Sequence, residues 1–153
     1  MKIVLIGSGN VATVLGKVMH DAGHEIIQVL SRNEHHAETL ATIFQCPFGN
    51  SNTSPDQNAD VYLLAITDTA LYHFDQQMQF ANKLVVHTAG SVSKEVLKSI
   101  SSRYGVIYPL QTLVREAEQI PQIPFMVDGN NTETTSCIFK ICEFLCFKCF
   151  NCR

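Results

Sequence analysis

The sequence predicts an α/β chain built on a doubly wound, parallel sheet with helices on both faces. Three observations carry this. A mostly apolar run, Lys2 to Ile6, breaks at Gly7; a helical stripe follows it directly; and further short apolar segments recur between helical patterns along the chain.

The first run shows no alternation of polar and apolar residues, as expected of a strand covered on both faces. It is too short for the apolar core of an export signal and lacks a small-residue cleavage site. Val11, Val14, Leu15, Val18, Met19 and Ala22 then share one face of a helix ending near Gly23. Glu25 to Leu30 reads as the second strand and Glu34 to Phe44 as the second helix. Cys46 to Phe48 is a candidate third strand, followed by a polar loop rich in Asn, Ser and Pro. Asp60 to Ile66, Leu84 to Thr88 and Gly105 to Tyr108 supply further strands, with a helix expected over Lys94 to Ser102. Strand-helix units of this length favour right-handed parallel crossovers, which place a ligand beyond the carboxyl ends of the strands.

Between the first strand and helix, Gly7-Ser8-Gly9-Asn10-Val11-Ala12 reads GxGxxA. The first glycine permits a tight turn, and the second has no side chain where a diphosphate must approach the backbone. The small Ala12 lets helix and strand come close, and the free N–H groups at the helix start face the phosphates. These residues are therefore candidates for holding a dinucleotide. A plain structural turn is the competing reading.

The end of the second strand bears on which dinucleotide. Sites for NAD usually offer Asp or Glu there to the ribose hydroxyls, whereas this chain offers Ser31-Arg32-Asn33. A guanidinium beside a hydroxyl suits a 2′-phosphate, which favours NADP over NAD. The plainer alternative makes Ser31 the cap of the second helix, in a capping box with Glu34.

At the end of the fourth strand, Ala65, Ile66 and Thr67 would lie across from the glycine turn and offer small side chains and carbonyls to a ribose or nicotinamide. Asp68 reads as the cap of the helix that follows. His87 ends the next strand, and Thr88-Ala89-Gly90-Ser91 forms a loop whose N–H groups suit an anionic or carbonyl group. An imidazole there could protonate or neutralise a product of hydride transfer, so His87 and Ser91 are the catalytic candidates. A buried structural role for His87 and a capping role for Ser91 compete with this. His20, His24, His35, His36 and His73 read as solvated surface, because no zinc-hydrolase spacing accompanies them.

The chain has 153 residues, 46% hydrophobic and 16% charged, enough for one core. Its net charge of −3 argues against a general nucleic-acid surface, and no apolar stretch reaches bilayer length. The sequons at Asn52 and Asn130 read as chance matches in a chain expected to be cytoplasmic.

Taken together, GSGNVA, the "SR" after the second strand, "ADVYLLAITD", "HTAGS", "YGVIYPLQTL" and "IPFMVDG" resemble one family. These are the Rossmann-like oxidoreductases that carry an uncharacterised helical C-terminal domain, relatives of pyrroline-5-carboxylate reductase and of deazaflavin-linked NADP reductases. The resemblance runs from Met1 to about Asn131. It implies an NADP-binding Rossmann domain and a helical domain that supplies dimer contacts and part of the substrate site. Gly7, Gly9, Ala12, Arg32 and Thr67 match the family's cofactor positions, and His87, Ser91, Tyr108 and Gln111 match further family positions. The family's chain continues well past the point where this one stops, so the substrate-side domain is expected to be missing.

Residues 1–130 are thus expected to form the dinucleotide-binding domain and 131–153 a Cys- and Phe-rich helical tail. Five of the six cysteines fall in the last 17 residues. Cys146, Cys149 and Cys152, with Cys142 as a fourth, have part of the spacing of an iron–sulfur site, but Phe fills the intervals. Alternatively the tail is an amphipathic helix, capped by Asn130 and Glu133, with Lys140, Glu143 and Lys148 on its polar face. A frame change that replaced the native continuation would also explain the bias, and is compatible with a helix. Two function classes remain: an NADP(H)-dependent oxidoreductase acting on a small imine or carbonyl, with a possible homodimer through the tail, or a non-catalytic NADP(H)-binding module.

Overall fold

A computed structural model describes residues 1–74, 78–117 and 122–143, together with the backbone of residues 149–151. The strands are β1 (Lys2–Ile6), β2 (Glu25–Leu30), β3 (Phe48–Gly49), β4 (Val61–Leu64), β5 (Leu84–His87), β6 (Arg103–Pro109), β7 (Phe125–Gly129) and β8 (Cys149–Asn151). The α-helices are α1 (Asn10–Asp21), α2 (Glu34–Phe44), α3 (Asp68–Leu71) and α4 (Thr132–Glu143). The strands form one sheet in the order β3-β2-β1-β4-β5-β6-β7-β8. From β3 through β6 every pairing is parallel, β7 runs antiparallel to β6, and β8 runs parallel to β7. The strand order reverses between β1 and β4, as in a Rossmann fold, and this defines the crevice where ligands of such sheets bind.

The uninterrupted apolar strands are explained by what covers them. Ile3, Leu5, Leu63 and Val86 face one core with Leu15 and Met19 of α1, Leu40 of α2 and Ile138 of α4. Val4, Ile6, Leu64 and Val85 face a second core with Leu71, Phe80, Leu97 and Ile100. Each fully buried Leu or Ile side chain contributes about 1.5–3 kcal/mol relative to exposure, so both faces of β1 and β4 stabilise the fold. The first helix buries Val14, Leu15 and Met19 as its stripe requires, with Val11, Val18 and Ala22 half-buried at the margins.

Several expectations need correction. Asn33, not Ser31, caps α2: its side chain accepts from His36 N–H at 3.2 Å. Thr67, not Asp68, caps α3 by accepting from Ala70 N–H at 3.4 Å. The expected helix from Lys94 to Ser102 is only a 3-10 turn over Lys94–Leu97, capped by Ser93 rather than Ser91. Its continuation is cut off because Ser101 Oγ bonds the carbonyls of Ala81 and Lys83, which draws the chain into β6. The third strand covers Phe48–Gly49 instead of Cys46 to Phe48, and β7 was not expected at all.

His24 is also not solvated. It is buried, with Nδ1 3.3 Å from the Met1 nitrogen. Burial, and then the positive charge of the Met1 amine, lower its affinity for a proton, against the opposing pull of the Ile141 main chain. The other four remain exposed, and His20 lies tilted against Phe44 with 5.6 Å between ring centroids.

In the tail, α4 begins at Thr132 and Asn131 caps it: Asn131 Oδ1 accepts from Thr134 N–H at 2.8 Å. The cap is thus Asn131 rather than Asn130, whose side chain instead accepts from Tyr104 N–H and donates to Ser102 O. Lys140 and Glu143 are exposed while Ile138, Ile141 and Cys142 are buried, the amphipathic arrangement expected, but the expected helical tail of 131–153 is not helical throughout, because Cys149–Asn151 extend the sheet as β8 beside β7. Lys148, Cys146 and Cys152 lie outside the described residues.

Candidate functional site

The carboxyl ends of β2, β1, β4 and β5 are laced side by side. Gly7 N–H donates to Leu30 O at 2.7 Å, Ala65 N–H to Ile6 O at 2.8 Å, and Thr88 N–H to Leu64 O at 3.2 Å. The glycine turn, the Ser31-Arg32 corner, the Ala65–Thr67 segment and the His87–Ser91 loop therefore open on the same edge of the sheet. All the candidate cofactor and catalytic residues meet there.

The two glycines do different work. Gly7 has φ +121°, and a Cβ there would run into the Ala65 carbonyl, so this turn admits no side chain. Gly9 has ordinary extended backbone, and a Cβ there would meet nothing within 4 Å. The fold itself leaves Gly9 free to be any small residue. The empty space beside it is what a ligand would use.

Gly9 starts α1 with no side-chain cap, and no acidic residue stands in the first turn. Thr13 N–H is the first to bond within the helix, to Gly9 O at 2.9 Å, which leaves the amides of Asn10, Val11 and Ala12 without an intrahelical acceptor. Three unclaimed N–H groups and the positive end of a 12-residue helix suit a diphosphate. Ala12 is fully buried against the sheet, in keeping with close helix–strand contact. Asn10 is exposed and Val11 half-buried at the rim.

Ser31 is tied to the glycine turn: Ser8 Oγ donates to Ser31 Oγ at 2.7 Å, and Ser31 N–H donates to Gly49 O at 3.1 Å. Arg32, next to it, is exposed. The position holds no carboxylate, and α2 begins only after it.

On the other side of the switch point, Ala65 and Ile66 are half-buried and Thr67 and Asp68 exposed. His87 is completely buried on the β5 end. Its Nδ1 accepts from Ala89 N–H at 3.2 Å, which places the neutral imidazole's proton on the buried Nε2. Burial pushes the imidazole below the ordinary histidine range, while the Ser93 main chain and the Asp68 carboxylate pull the other way. Ser91 Oγ donates to Asp68 Oδ2, bridging the loops that follow β4 and β5. The sequence reads Asp68 as the cap of α3, and nothing in it reveals that Thr67 takes that role while Asp68 turns to Ser91.

Beyond that loop lies a cavity of about 390 Å³ lined by residues that include Gly90, Lys94, Val106, Tyr108 and Met126. Lys94 Nζ donates to Asp128 at 2.6 Å and to Gly129 O at 3.2 Å, which ties the loop to β7. Tyr108 is partly exposed with its ring over Gly90, and Gln111 Nε2 is buried without a partner. A wider depression of about 510 Å³, bordered by Lys2, Gly23, Glu25 and Asp60, lies at the amino ends of the strands and contains none of the candidate residues. No helix among the described residues is long and apolar enough to cross a membrane.

A family model described as NADP oxidoreductase, coenzyme F420-dependent, matches residues 2–91. Among solved structures, one assigned as an NADP oxidoreductase from Bacteroides fragilis is 32% identical, with a TM-score of 0.87 over 99% of this chain and 59% of that one. The 1-pyrroline-5-carboxylate reductase of Streptococcus pyogenes is 19% identical, with a TM-score of 0.78 over 100% of this chain and 58% of that one. A Thermotoga maritima protein is 20% identical, with a TM-score of 0.78 over 98% of this chain and 57% of that one. The last two bear on the fold alone, and the chain spans less than two thirds of each of these structures. No curated protein matches the sequence. The family match covers most of the chain, from β1 through the His87–Ser91 loop that forms the crevice, and the chain belongs to the NADP oxidoreductase, coenzyme F420-dependent, family.

Proposed function

We propose that this chain is the coenzyme-binding unit of an oxidoreductase that uses NADP(H) and exchanges hydride with a small imine or carbonyl compound. The observation that carries the reading is the uncapped start of α1, where three unclaimed amides face the open space beside Gly9. The family's nicotinamide coenzyme fits there through its diphosphate. Ser31 and Arg32, with no carboxylate beside them, support a 2′-phosphate and hence NADP over NAD. Ala65, Ile66 and Thr67 would border the ribose and ring. When bound, the coenzyme supplies or accepts the hydride. His87 and Ser91 would border the reacting carbon, with His87 held neutral by burial and Ser91 oriented by Asp68.

Fluorescence titration tests this directly. NADPH should bind the full chain more tightly than NADH, and Arg32→Ala should remove about tenfold or more of that preference, since hydrogen bonds to charged groups contribute roughly 1.5–3 kcal/mol. Equal affinities in the wild type, or a preference that survives Arg32→Ala, would overturn the phosphate assignment. NADPH that binds but is never oxidised with any cyclic imine or ketone would favour a sensing module over a catalyst.

A further inference from the structure

No carboxylate stands at Ser31, Arg32 or Asn33, but Glu34 opens α2 directly after them. Its side chain is tethered: Asn50 Nδ2 donates to Glu34 Oε2 at 3.3 Å. Asn50 is itself fixed. Its N–H donates to Thr53 Oγ1 at 3.1 Å, and its Oδ1 accepts from Asn52 N–H at 2.9 Å. It follows Gly49, whose carbonyl accepts the Ser31 N–H at 3.1 Å, so the tether on Glu34 starts from the strand end paired with the Ser31–Arg32 corner. That corner therefore carries charges of both signs: the exposed Arg32 guanidinium, and an exposed carboxylate held to the turn after β3.

We propose that Glu34, held in place by Asn50, limits the preference of this site for NADPH and lets it accept NADH as well. The inference rests on the phosphate assignment above. A 2′-phosphate is strongly negative, so a tethered carboxylate at the same corner repels it and offsets part of what Arg32 contributes. An unphosphorylated ribose presents hydroxyl protons instead, and a carboxylate accepts these. One side chain thus acts on the two coenzymes in opposite directions. Glu34 is a specificity residue at the adenosine end of the coenzyme, and its effect is read in which coenzyme binds rather than in how fast hydride moves.

Fluorescence titration of the full chain with NADPH and with NADH tests this through the ratio of their Kd values. Glu34→Gln keeps an acceptor for Asn50 but removes the charge. In that variant NADPH should bind about fivefold more tightly, the scale of one exposed charge interaction, and NADH no more tightly than before. Glu34→Lys reverses the charge and should raise the preference further. Asn50→Ala frees the carboxylate to swing into solvent and should give part of the gain seen in Glu34→Gln. Loosening of α2 alone would weaken both coenzymes alike and leave the ratio where it was. A preference for NADPH that stays at its wild-type value in Glu34→Gln or in Asn50→Ala would overturn the inference, while the phosphate assignment would still stand on Arg32→Ala. A wild type that binds no NADPH, or a preference that survives Arg32→Ala, would overturn both.

Discussion

Substituting each of the two turn glycines by alanine should separate what the fold needs from what the ligand needs. At Gly9 the backbone is extended and a methyl would meet nothing within 4 Å, so the folded chain accepts it without strain. Replacing Gly by Ala at such a position stabilises by about 0.4–1 kcal/mol through the unfolded chain. For a domain of this size that raises Tm by about 1–4 °C. The same methyl would occupy the space proposed for the diphosphate and separate it from the helix amides, with a loss of about 1–3 kcal/mol of binding, or roughly 5- to 150-fold in Kd. At Gly7 the outcome reverses. A φ of +121° and the Ala65 carbonyl at the Cβ position together cost about 2–6 kcal/mol. Gly7→Ala should therefore lower Tm by roughly 5–20 °C. Thermal unfolding and NADPH fluorescence on the two variants read both quantities. A Gly9→Ala protein that is as stable as the wild type and binds NADPH just as well would refute the assignment of that space to a ligand.

Other expectations concern stability. His24 and His87 both hold protons less readily when folded, chiefly through burial, so the unfolded chain binds more protons just below its histidine pKa of about 6.5. Their contribution is fully present above that pH and is lost as pH falls towards the folded values. The urea midpoint should therefore drop between about pH 7.5 and pH 5, and less steeply in the double variant His24→Gln, His87→Gln. Asn33→Ala removes the cap of α2 and should lower stability by about 1 kcal/mol, seen as a fall in Tm of about 2–4 °C, whereas Ser31→Ala should leave that helix intact. Lys94→Met leaves Asp128 without its cation and should loosen the 3-10 turn that carries Lys94, measurable as faster amide exchange at Glu95 and Val96.

Much of the architecture was legible because it is written locally. The β1 run, the α1 stripe and the GxGxxA turn each follow from neighbours in sequence, and β2 and α2 have the expected bounds. What escaped depends on partners far along the chain. Whether Ser31 or Asn33 caps α2 is decided by Ser8, which claims the Ser31 hydroxyl from 23 residues away. The Lys94 helix shortens because Ser101 is taken by the Ala81 and Lys83 carbonyls. His24 is buried where the Met1 amine and the Ile141 main chain of α4 meet it, partners far along the chain that spacing alone does not reveal. β7 alternates buried and half-buried residues over only five positions after a proline, too weak a signal without its antiparallel partner β6. In the candidate site, residue types and their order were readable, but the direction in which Asp68 turns was not.

The antiparallel return of β7 beside β6 has a consequence of its own. A sheet that widens by doubling back, rather than by a right-handed crossover, acquires no obligatory helix over its new flank. Here α4 covers one side of that flank, while Val106, Tyr108 and Met126 line the hollow on the other. Mutations among these three side chains can therefore reshape the hollow while leaving the glycine turn, proposed to hold the coenzyme, untouched.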